Sequence, residues 1–295
     1  MRARHTTVFG IAALLCASAT RVWAQAHTAY VVQDLGTLGG AHTVGVAVNA
    51  NGDVAGYGQL ADGSWHAFRW TARGGLEDLG ANGGLSSQAA AINTAGDVAG
   101  VFIDPNGWPH GFIAPRDGTM RDVSTATFRV HRVNALTDDG RFTGMLFVPE
   151  TSAQYHAFRT RVDGSVKDFG GAYTSIGIAM NEAGDVTGYE AHDAYGSNLA
   201  RAFRFSDAGG KVDLGTLGGV RSHGLSLNNA GVVVGWSEVA DPAVYSRAFR
   251  ARPGYPMEDL GVLSGSIAGA TAVNDTAGRR ARTACLPFCL PTPTG

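Results

Sequence analysis

The sequence predicts an all-β fold of the β-propeller type, made of four-stranded repeats of about 45 residues each. Three markers share this period. An Asp before a Gly-containing turn recurs with steps of 44, 44, 46, 45 and 46 residues, at Asp34, Asp78, Asp122, Asp168, Asp213 and Asp259. The Phe of a "HAF" tripeptide or a variant of it recurs at 68, 112, 158, 203 and 249. An Asn before a turn recurs at 49, 93, 181, 228 and 274, with Thr137 in the third unit. Markers with one common period indicate a repeat architecture.

Each unit contains four short segments in a fixed order, and each segment has the composition of a β-strand. In the first unit they are "VAVN" 46–49, "DVAGYG" 53–58, "HAFRW" 66–70 and "LEDLG" 76–80. β-Branched and aromatic residues bounded by Gly, Asn or Asp are typical of strands, and no window has the apolar period of a helix. We therefore expect antiparallel meanders stacked radially, because such stacking leaves few free sheet edges. A β-helix or irregular stack, and a sandwich, are the alternative architectures.

The units predict five complete blades and one partial blade. An orphan fourth strand, "YVVQDLG" at 30–36, stands at the front, and an orphan first strand, "TAVN" at 271–274, stands at the back. In a ring these two segments would belong to a sixth blade closed by both termini. That blade would lack its second and third strands.

Both ends of the chain differ from the repeat domain, which we place at 27–278. Residues 1–26 combine Arg2 and Arg4 with an apolar run at 8–19 and a small-residue end at Ala24–Ala26, which is typical of a secretory signal peptide. The run is shorter than the roughly 20 residues that span a bilayer, so we expect a secreted, extracellular or periplasmic protein with no membrane span in the mature chain. A buried N-terminal helix is the alternative.

The tail at 279–295, "RRARTACLPFCLPTPTG", matches nothing upstream. We interpret it as the product of a truncation or frameshift. Its two cysteines, Cys285 and Cys289, are the only ones outside the signal segment, and whether they pair stays open.

The charge balance excludes two classes of partner. After removal of residues 1–26, 20 Lys and Arg stand against 25 Asp and Glu, which gives a net charge of −5. The chain has no basic cluster of the kind that nucleic-acid recognition requires, apart from the tail. We therefore expect no nucleic-acid partner and no binding to anionic lipid; a glycan or a protein at the cell exterior fits better.

The motifs resemble those of the HAF-repeat family of extracellular bacterial proteins. The resemblance rests on "HAFRW" 66–70, "HAFRT" 156–160, the two copies of "DLGTLGG" and "GDVAG" 96–100, and it extends over roughly residues 30 to 278. It implies a secreted, propeller-like repeat protein, and it brings no catalytic residues with it. The chain departs from the family pattern where Arg201 and Arg247 replace the His of the tripeptide and where Gly111 replaces its Ala.

Most of the repeated polar residues have a structural interpretation. A position that accepts His66, His110 and His156 but also Arg201 and Arg247 suits a hydrogen-bond donor packed against the neighbouring blade, and not a metal ligand. The turns around Asp53, Asp97 and Asp185 hold too few carboxylates for calcium and are typical of hairpins with a Gly at positive φ. The six repeated Asp residues suit acceptors for backbone N–H groups of the following turn. We accordingly predict no metal and no cofactor.

Function is predicted to lie where the repeats differ. Variable loops on a rigid scaffold commonly bind ligands. An aromatic residue recurs in these loops shortly before each third strand, at Trp65, Trp108, Tyr155, Tyr195 and Tyr245. We predict that these aromatics contact a ligand of unknown identity and that the protein is a binding or interaction module. Standard catalytic motifs are absent from the sequence, which makes an enzyme less favoured. The alternatives are a polysaccharide-active enzyme, or a structural surface protein or decayed gene copy without activity.

Overall fold

The computed structural model of the protein describes residues 31–125, 128–148, 155–171, 173–191, 199–241, 245–262 and 265–275. The chain divides into two compact units, 1–34 and 35–295. In the first unit only residues 31–34 are described, and they form no strand. The predicted signal peptide, the tail and Cys285 and Cys289 lie outside the described residues, so these predictions stay predictions.

The second unit contains twenty strands in five four-stranded sheets. The first sheet holds β1 (Gly39–Val48), β2 (Val54–Leu60), β3 (Trp65–Thr71) and β4 (Gly75–Asp78). The second holds β5 (Ser86–Ile92), β6 (Val98–Ile103), β7 (Pro109–Ala114) and β8 (Arg121–Asp122). The third holds β9 (Arg129–Leu136), β10 (Phe142–Phe147), β11 (Tyr155–Thr160) and β12 (Val166–Asp168). The fourth holds β13 (Ser175–Met180), β14 (Val186–Ala191), β15 (Ala200–Ser206) and β16 (Gly210–Gly215). The fifth holds β17 (Gly218–Leu227), β18 (Val233–Val239), β19 (Arg247–Ala251) and β20 (Glu258–Gly261).

Every sheet is an antiparallel meander in which each strand pairs with the next one along the chain. The third strand of each sheet packs against the first strand of the following sheet, as β3 does on β5 and β15 does on β17. The five complete blades predicted from the repeat are confirmed, and the described residues contain no α-helix. The described part of the chain accordingly offers no helix long and apolar enough to cross a membrane.

The "HAF" tripeptide forms the core between neighbouring sheets. Its Phe residues are completely or almost completely buried, at Phe68, Phe112, Phe158, Phe203 and Phe249. In the four clusters between complete sheets, the Phe of one sheet packs with the residue beside the Phe of the preceding sheet, as Phe112 does with Ala67 and Phe249 with Ala202. Consecutive side chains of a strand point to opposite faces of the sheet. The pair Ala-Phe therefore supplies both inter-sheet contacts of one blade.

The repeated "DLGTLGG" segment spans the boundary between two blades. In the second copy the first residues end the fourth strand β16, as predicted, whereas residues 34–36 of the first copy form no strand. In both copies the last two Gly residues already belong to a first strand, because β1 begins at Gly39 and β17 at Gly218. A Cβ atom on Gly40 would lie 2.5 Å from the carbonyl oxygen of Gln59. The two strands approach too closely there for any side chain, which explains why the motif ends in Gly.

The marker Asn residues link the blades to one another. The Nδ2 of each donates to the backbone carbonyl of the equivalent residue one blade later, with distances of 2.9 Å for Asn49 to Asn93, 3.3 Å for Asn93 to Thr137, 2.9 Å for Asn181 to Asn228 and 3.0 Å for Asn228 to Asn274. Thr137 cannot make this bond, and Asn134 instead donates to the carbonyl of Gly177 at 2.7 Å. Every blade is therefore joined to the next by an amide side chain.

We expect Asn181→Ala to lower the free energy of unfolding by about 2 kcal/mol, because buried polar groups that lose their partners are costly. Asn181 is buried; besides donating to Asn228, its Oδ1 accepts the N–H of Asp185 at 2.8 Å. The matched control is Asn51→Ala, which removes a similar bond between sheets, to Thr94 at 2.8 Å, at an exposed position. Urea unfolding of both variants checks this, and equal losses would contradict it.

The predicted sixth blade is present only in part. Residues 31–36 and 271–274, the described parts of its two orphan segments, form no strands. The second segment nevertheless lies against the fifth sheet, because Asn228 donates to the carbonyl of Asn274 at 3.0 Å and the preceding residue, Ala270, donates to the carbonyl of Gly235 at 3.1 Å. Among the described residues no second strand lies beside this segment, so no ladder of hydrogen bonds forms there.

Candidate ligand-binding face

The loops between second and third strands all lie at one end of the sheets. The turns between first and second strands, such as 49–53 and 93–97, are bonded to one another from sheet to sheet and so share one end, here called the turn face. In an antiparallel meander the next connection lies at the opposite end of the sheet. The second strands of all five sheets therefore end, and the third strands begin, at that opposite end, here called the loop face; the connections 61–64 and 104–108 are described in full.

Two of the predicted aromatics are partly enclosed by other rings. The Trp65 ring stacks at 6.2 Å from His42 and meets Tyr57 edge-on at 5.7 Å. The Tyr155 ring lies 4.9 Å from His131 and 5.7 Å from Phe147. Trp65 and Tyr155 thus belong to small aromatic clusters at the loop-face end of their sheets. Tyr195 lies outside the described residues.

Trp108 and Tyr245 are the exposed members of the set, with 56% and 54% of their surface accessible. They occupy equivalent positions, each two residues before the first residue of the "HAF" tripeptide. Each has an arginine beside its ring: the Cζ of Arg129 lies 5.2 Å from the Trp108 centroid, and that of Arg221 lies 5.7 Å from the Tyr245 centroid. Cation–π attraction of this kind holds the two groups together at partly exposed sites.

The two arginines also occupy equivalent positions. Each arginine immediately precedes a first-strand residue whose pairing partner stands two residues after the central Gly of the second strand. These pairs are Val130–Leu146 after Arg129 and Ser222–Ser237 after Arg221. Arg221 is also bound to Glu238 and to the Tyr245 hydroxyl, whereas Arg129 forms no ion pair with any residue that the structure describes. Neither arginine was predicted from the sequence as a site residue. Their only signal was a basic residue at the start of two first strands.

The first residue of each tripeptide pairs with the repeated Asp of its own sheet. The closest N–O distances are 2.9 Å for His66–Asp78, 2.8 Å for His110–Asp122, 2.9 Å for His156–Asp168, 3.2 Å for Arg201–Asp213 and 2.6 Å for Arg247–Asp259. The prediction of a donor at this position is confirmed. The hydrogen-bond partner, which the sequence did not indicate, lies in the same sheet, because the third and fourth strands place the two side chains side by side.

Each of these Asp residues also accepts a backbone N–H two residues later, as predicted. The bonds are Gly80 to Asp78 at 2.8 Å, Ser124 to Asp122 at 2.7 Å, Gly170 to Asp168 at 2.6 Å, Gly215 to Asp213 at 2.8 Å and Gly261 to Asp259 at 2.7 Å. A carboxylate that both holds a side-chain donor and closes a turn is occupied structurally. Its fivefold repetition argues against a single catalytic carboxylate on this face.

The turns with a calcium-like sequence are hairpins on the opposite, turn face. Gly52, Gly96 and Gly184 have φ values of 81°, 90° and 86°, which confirms the predicted turn geometry. The carboxylate of Asp53 contacts Asn49 at 3.2 Å and Arg116 at 3.1 Å. Within the described part of the chain, no group of three or more His, Cys, Asp or Glu residues is arranged to hold a metal ion.

A stack of three rings connects the fourth and fifth sheets. The His223 ring lies 3.9 Å from Tyr189 and 4.4 Å from Trp236. Burial, together with the positive charge of Arg221, lowers the pKa of His223 from 6.5 to about 4, although Glu238 opposes this shift. The imidazole is therefore neutral at pH 7 and packs as an aromatic ring.

Stability should consequently fall in mild acid. The pKa of His223 is lower in the folded chain than in the unfolded chain, so its contribution is present above pH 6.5 and is lost as the pH falls towards 4. Between pH 7 and 4.5 we expect a loss of about 1–2 kcal/mol, reduced for the partial exposure of the ring. Urea unfolding of the wild type and of His223→Gln across this range measures the difference, and parallel pH profiles would contradict the expectation.

Solved structures similar to this chain are propeller proteins. The β-propeller domain of the trilobed protease from Pyrococcus furiosus, described as having an open velcro topology, aligns with a TM-score of 0.50 and 10% identity, over 79% of this chain and 75% of that one. TolB from Acinetobacter baumannii aligns with a TM-score of 0.46 and 15% identity over 72% of this chain, which spans about half, 52%, of that protein's length. A putative TolB from Agrobacterium tumefaciens gives 0.47 and 16%, over 73% of this chain and 82% of that one.

No protein-family model and no curated protein sequence matches the chain. At these identities the structural similarity shows the fold alone. The chain is a β-propeller-like repeat protein with five four-stranded blades.

Proposed function

We propose that the protein is an exported binding module that holds a glycan on its loop face. The observation that carries the proposal is the pair of exposed rings, Trp108 and Tyr245, each with an arginine at an equivalent position. An aromatic ring offers an apolar face to the C–H side of a sugar, and a guanidinium donates to hydroxyl or carboxylate oxygens. Arg129 has no ion-pair partner in the described part of the chain, which favours a sugar that carries a carboxylate.

Binding without turnover is the function that the polar groups of this face support better than catalysis. The described His–Asp and Arg–Asp pairs of the loop face repeat in all five blades and close turns. A catalytic group is usually a single residue in a special environment. A polysaccharide-active enzyme stays the alternative, and release of sugar products by the purified protein would favour it.

We expect Trp108→Ala and Arg129→Gln each to weaken binding to an acidic oligosaccharide by about tenfold, which corresponds to roughly 1.4 kcal/mol. The matched control is Tyr255→Ala, because Tyr255 is 65% exposed and lies 5.0 Å from the Cζ of Arg252 in the turn between β19 and β20, at the turn face. Titration calorimetry with acidic and neutral oligosaccharides measures the affinities. Equal weakening by all three variants, or no binding of any oligosaccharide, would contradict the proposal.

Export and membership of the HAF-repeat family also stay predictions. The motif residues have clear roles in the blades, since Phe68 and Asp78 fix the core and the turn of the first blade, which supports a family defined by these letters. Expression of the full chain in a bacterial host, followed by N-terminal sequencing of the exported product, tests export. A mature end close to Ala24–Ala26 is expected, and a product that retains residues 1–26 would contradict it.

A further inference from the structure

The outer face of the fifth sheet is covered, among the described residues, by the single segment 266–275 and not by a complete four-stranded sheet. Residues 266–275 make backbone hydrogen bonds to the fifth sheet. Ala268 donates to the carbonyl of Ser246, just before the third strand, at 3.0 Å, and Ala270 donates to the carbonyl of Gly235, the central Gly of the second strand, at 3.1 Å. The link from Asn228 to the carbonyl of Asn274, at 3.0 Å, repeats the bond made at the earlier junctions. The segment is therefore anchored in the manner of a first strand.

The apolar contents of this junction differ from those of the other four. Each complete junction buries a Phe from the third strand of the later sheet, namely Phe112, Phe158, Phe203 or Phe249. At the fifth junction the described cluster contains only small or aliphatic side chains: Val234 and Ala248 face Ala268 and Ala270, with Leu260, Val262 and Val273 beside them.

An open cavity of about 360 Å³ lies next to this segment, lined mainly by apolar groups that include Trp236, Tyr245 and Ile267. Ile267 is 47% exposed and Tyr245 54% exposed. An apolar sheet face with an unpaired strand edge readily binds an added strand.

Residues 276–295, which follow this segment, have a sequence poorly suited to a second strand. The residues that would begin it include Arg279, Arg280 and Arg282, whereas the second strands of the complete blades begin with buried or half-buried Val or Phe and have Gly at the centre. Burying a guanidinium without a partner is strongly unfavourable. Residues 276–295 also contain no copy of the "VAG…HAF" pattern.

We propose that the face formed by the fifth sheet and residues 266–275 binds a β-hairpin of the repeat's own second-and-third-strand type, supplied by a separate polypeptide. The incoming second strand pairs with the edge of residues 267–273 that no described strand occupies. The incoming third strand places its Phe against Val234 and Ala248, as Phe249 lies against Ala202 one junction earlier. The recognised chemistry is an extended strand with a central Gly, followed by an Ala-Phe pair.

The test uses a labelled synthetic hairpin with the sequence of residues 50–71, "ANGDVAGYGQLADGSWHAFRWT", and the mature chain 27–295. The matched control peptide carries Gly56→Val, because in the first blade a Cβ at Gly56 would lie 2.0 Å from the carbonyl oxygen of Val44. We expect saturable binding in fluorescence anisotropy, at least tenfold tighter for the Gly56 peptide, together with a rise in the melting temperature of the chain.

A variant of the chain that ends at Asp275 separates the possible occupants. Equal binding to the full chain and to the shortened chain supports a partner hairpin. Binding that appears only after the tail is removed would overturn the proposal in favour of the chain's own tail. Equal affinity for both peptides, or no binding of either peptide to either chain, would also overturn it.

Discussion

Replacing Gly188 with alanine should prevent the repeat domain from folding, or reduce its free energy of unfolding by more than about 3 kcal/mol. A Cβ atom at this position would lie 1.8 Å from the carbonyl oxygen of Ile176, on the strand next to it. That oxygen belongs to the backbone of a first strand packed between two sheets, so it cannot move aside as a flexible side chain would.

The matched control is Gly118→Ala, because its Cβ would meet only the Pro115 side chain, at 3.4 Å, which is an ordinary contact. Soluble yield and urea unfolding of the two variants measure the difference. A Gly188→Ala protein as stable as the control would show that the first and second strands can separate without cost, and would contradict the tight pairing described above.

The same close approach recurs in the other blades. The equivalent distances to a first-strand carbonyl oxygen are 2.0 Å at Gly56, 2.1 Å at Gly100, 1.9 Å at Gly144 and 1.9 Å at Gly235. The tripeptide's Phe occupies the space beside this Gly, since the Phe68 ring would lie 2.7 Å from a Cβ on Gly56. The Gly of "VAG" and the Phe of "HAF" are therefore two halves of one packing arrangement.

The period of the sequence was sufficient to predict the blades, because the three markers recur in the same order in nearly every unit and the Asp marker has a local role inside one sheet. The Asp of each fourth strand closes the turn two residues later, and such a contact can be inferred from neighbouring letters. Links between sheets were harder to predict. The amide of Asn181 bonds to a carbonyl 47 residues away, and only the stacking of two blades brings these groups together.

The candidate site was predicted in outline only. The loop aromatics were found because they break the repeat, and Trp108 and Tyr245 are indeed exposed on one face. Their arginine partners come from first strands, 21 residues after Trp108 and 24 residues before Tyr245. Sequence spacing gives no reason to pair residues in opposite directions along the chain. Which of the aromatics would be enclosed by other rings was equally unpredictable, because His42 and His131 come from first strands.

The departure from the "HAF" tripeptide at Gly111 has a packing explanation that a double mutant can test. In three other blades the tripeptide's Ala donates its N–H to a buried Ser of the next sheet, at 2.8 Å for Ala67 to Ser87 and 2.9 Å for Ala157 to Ser175 and for Ala202 to Ser222. In the second blade the residue facing this place is Val130. A Cβ on Gly111 would lie 2.5 Å from its Cγ1 atom.

We expect Gly111→Ala alone to cost about 2 kcal/mol through overpacking, and Val130→Ser alone to cost a similar amount through lost apolar contacts. The double variant restores the Ala–Ser pair of the other blades, so its loss should be smaller than the sum of the single losses by at least about 1 kcal/mol. Combining Gly111→Ala with Val220→Ser, at a half-exposed position in the fifth sheet, should be additive. Additive losses in both pairs would mean that Gly111 is not there to make room for Val130. A coupling confined to the first pair would mean that the Val130 side chain leaves no room for an Ala at position 111.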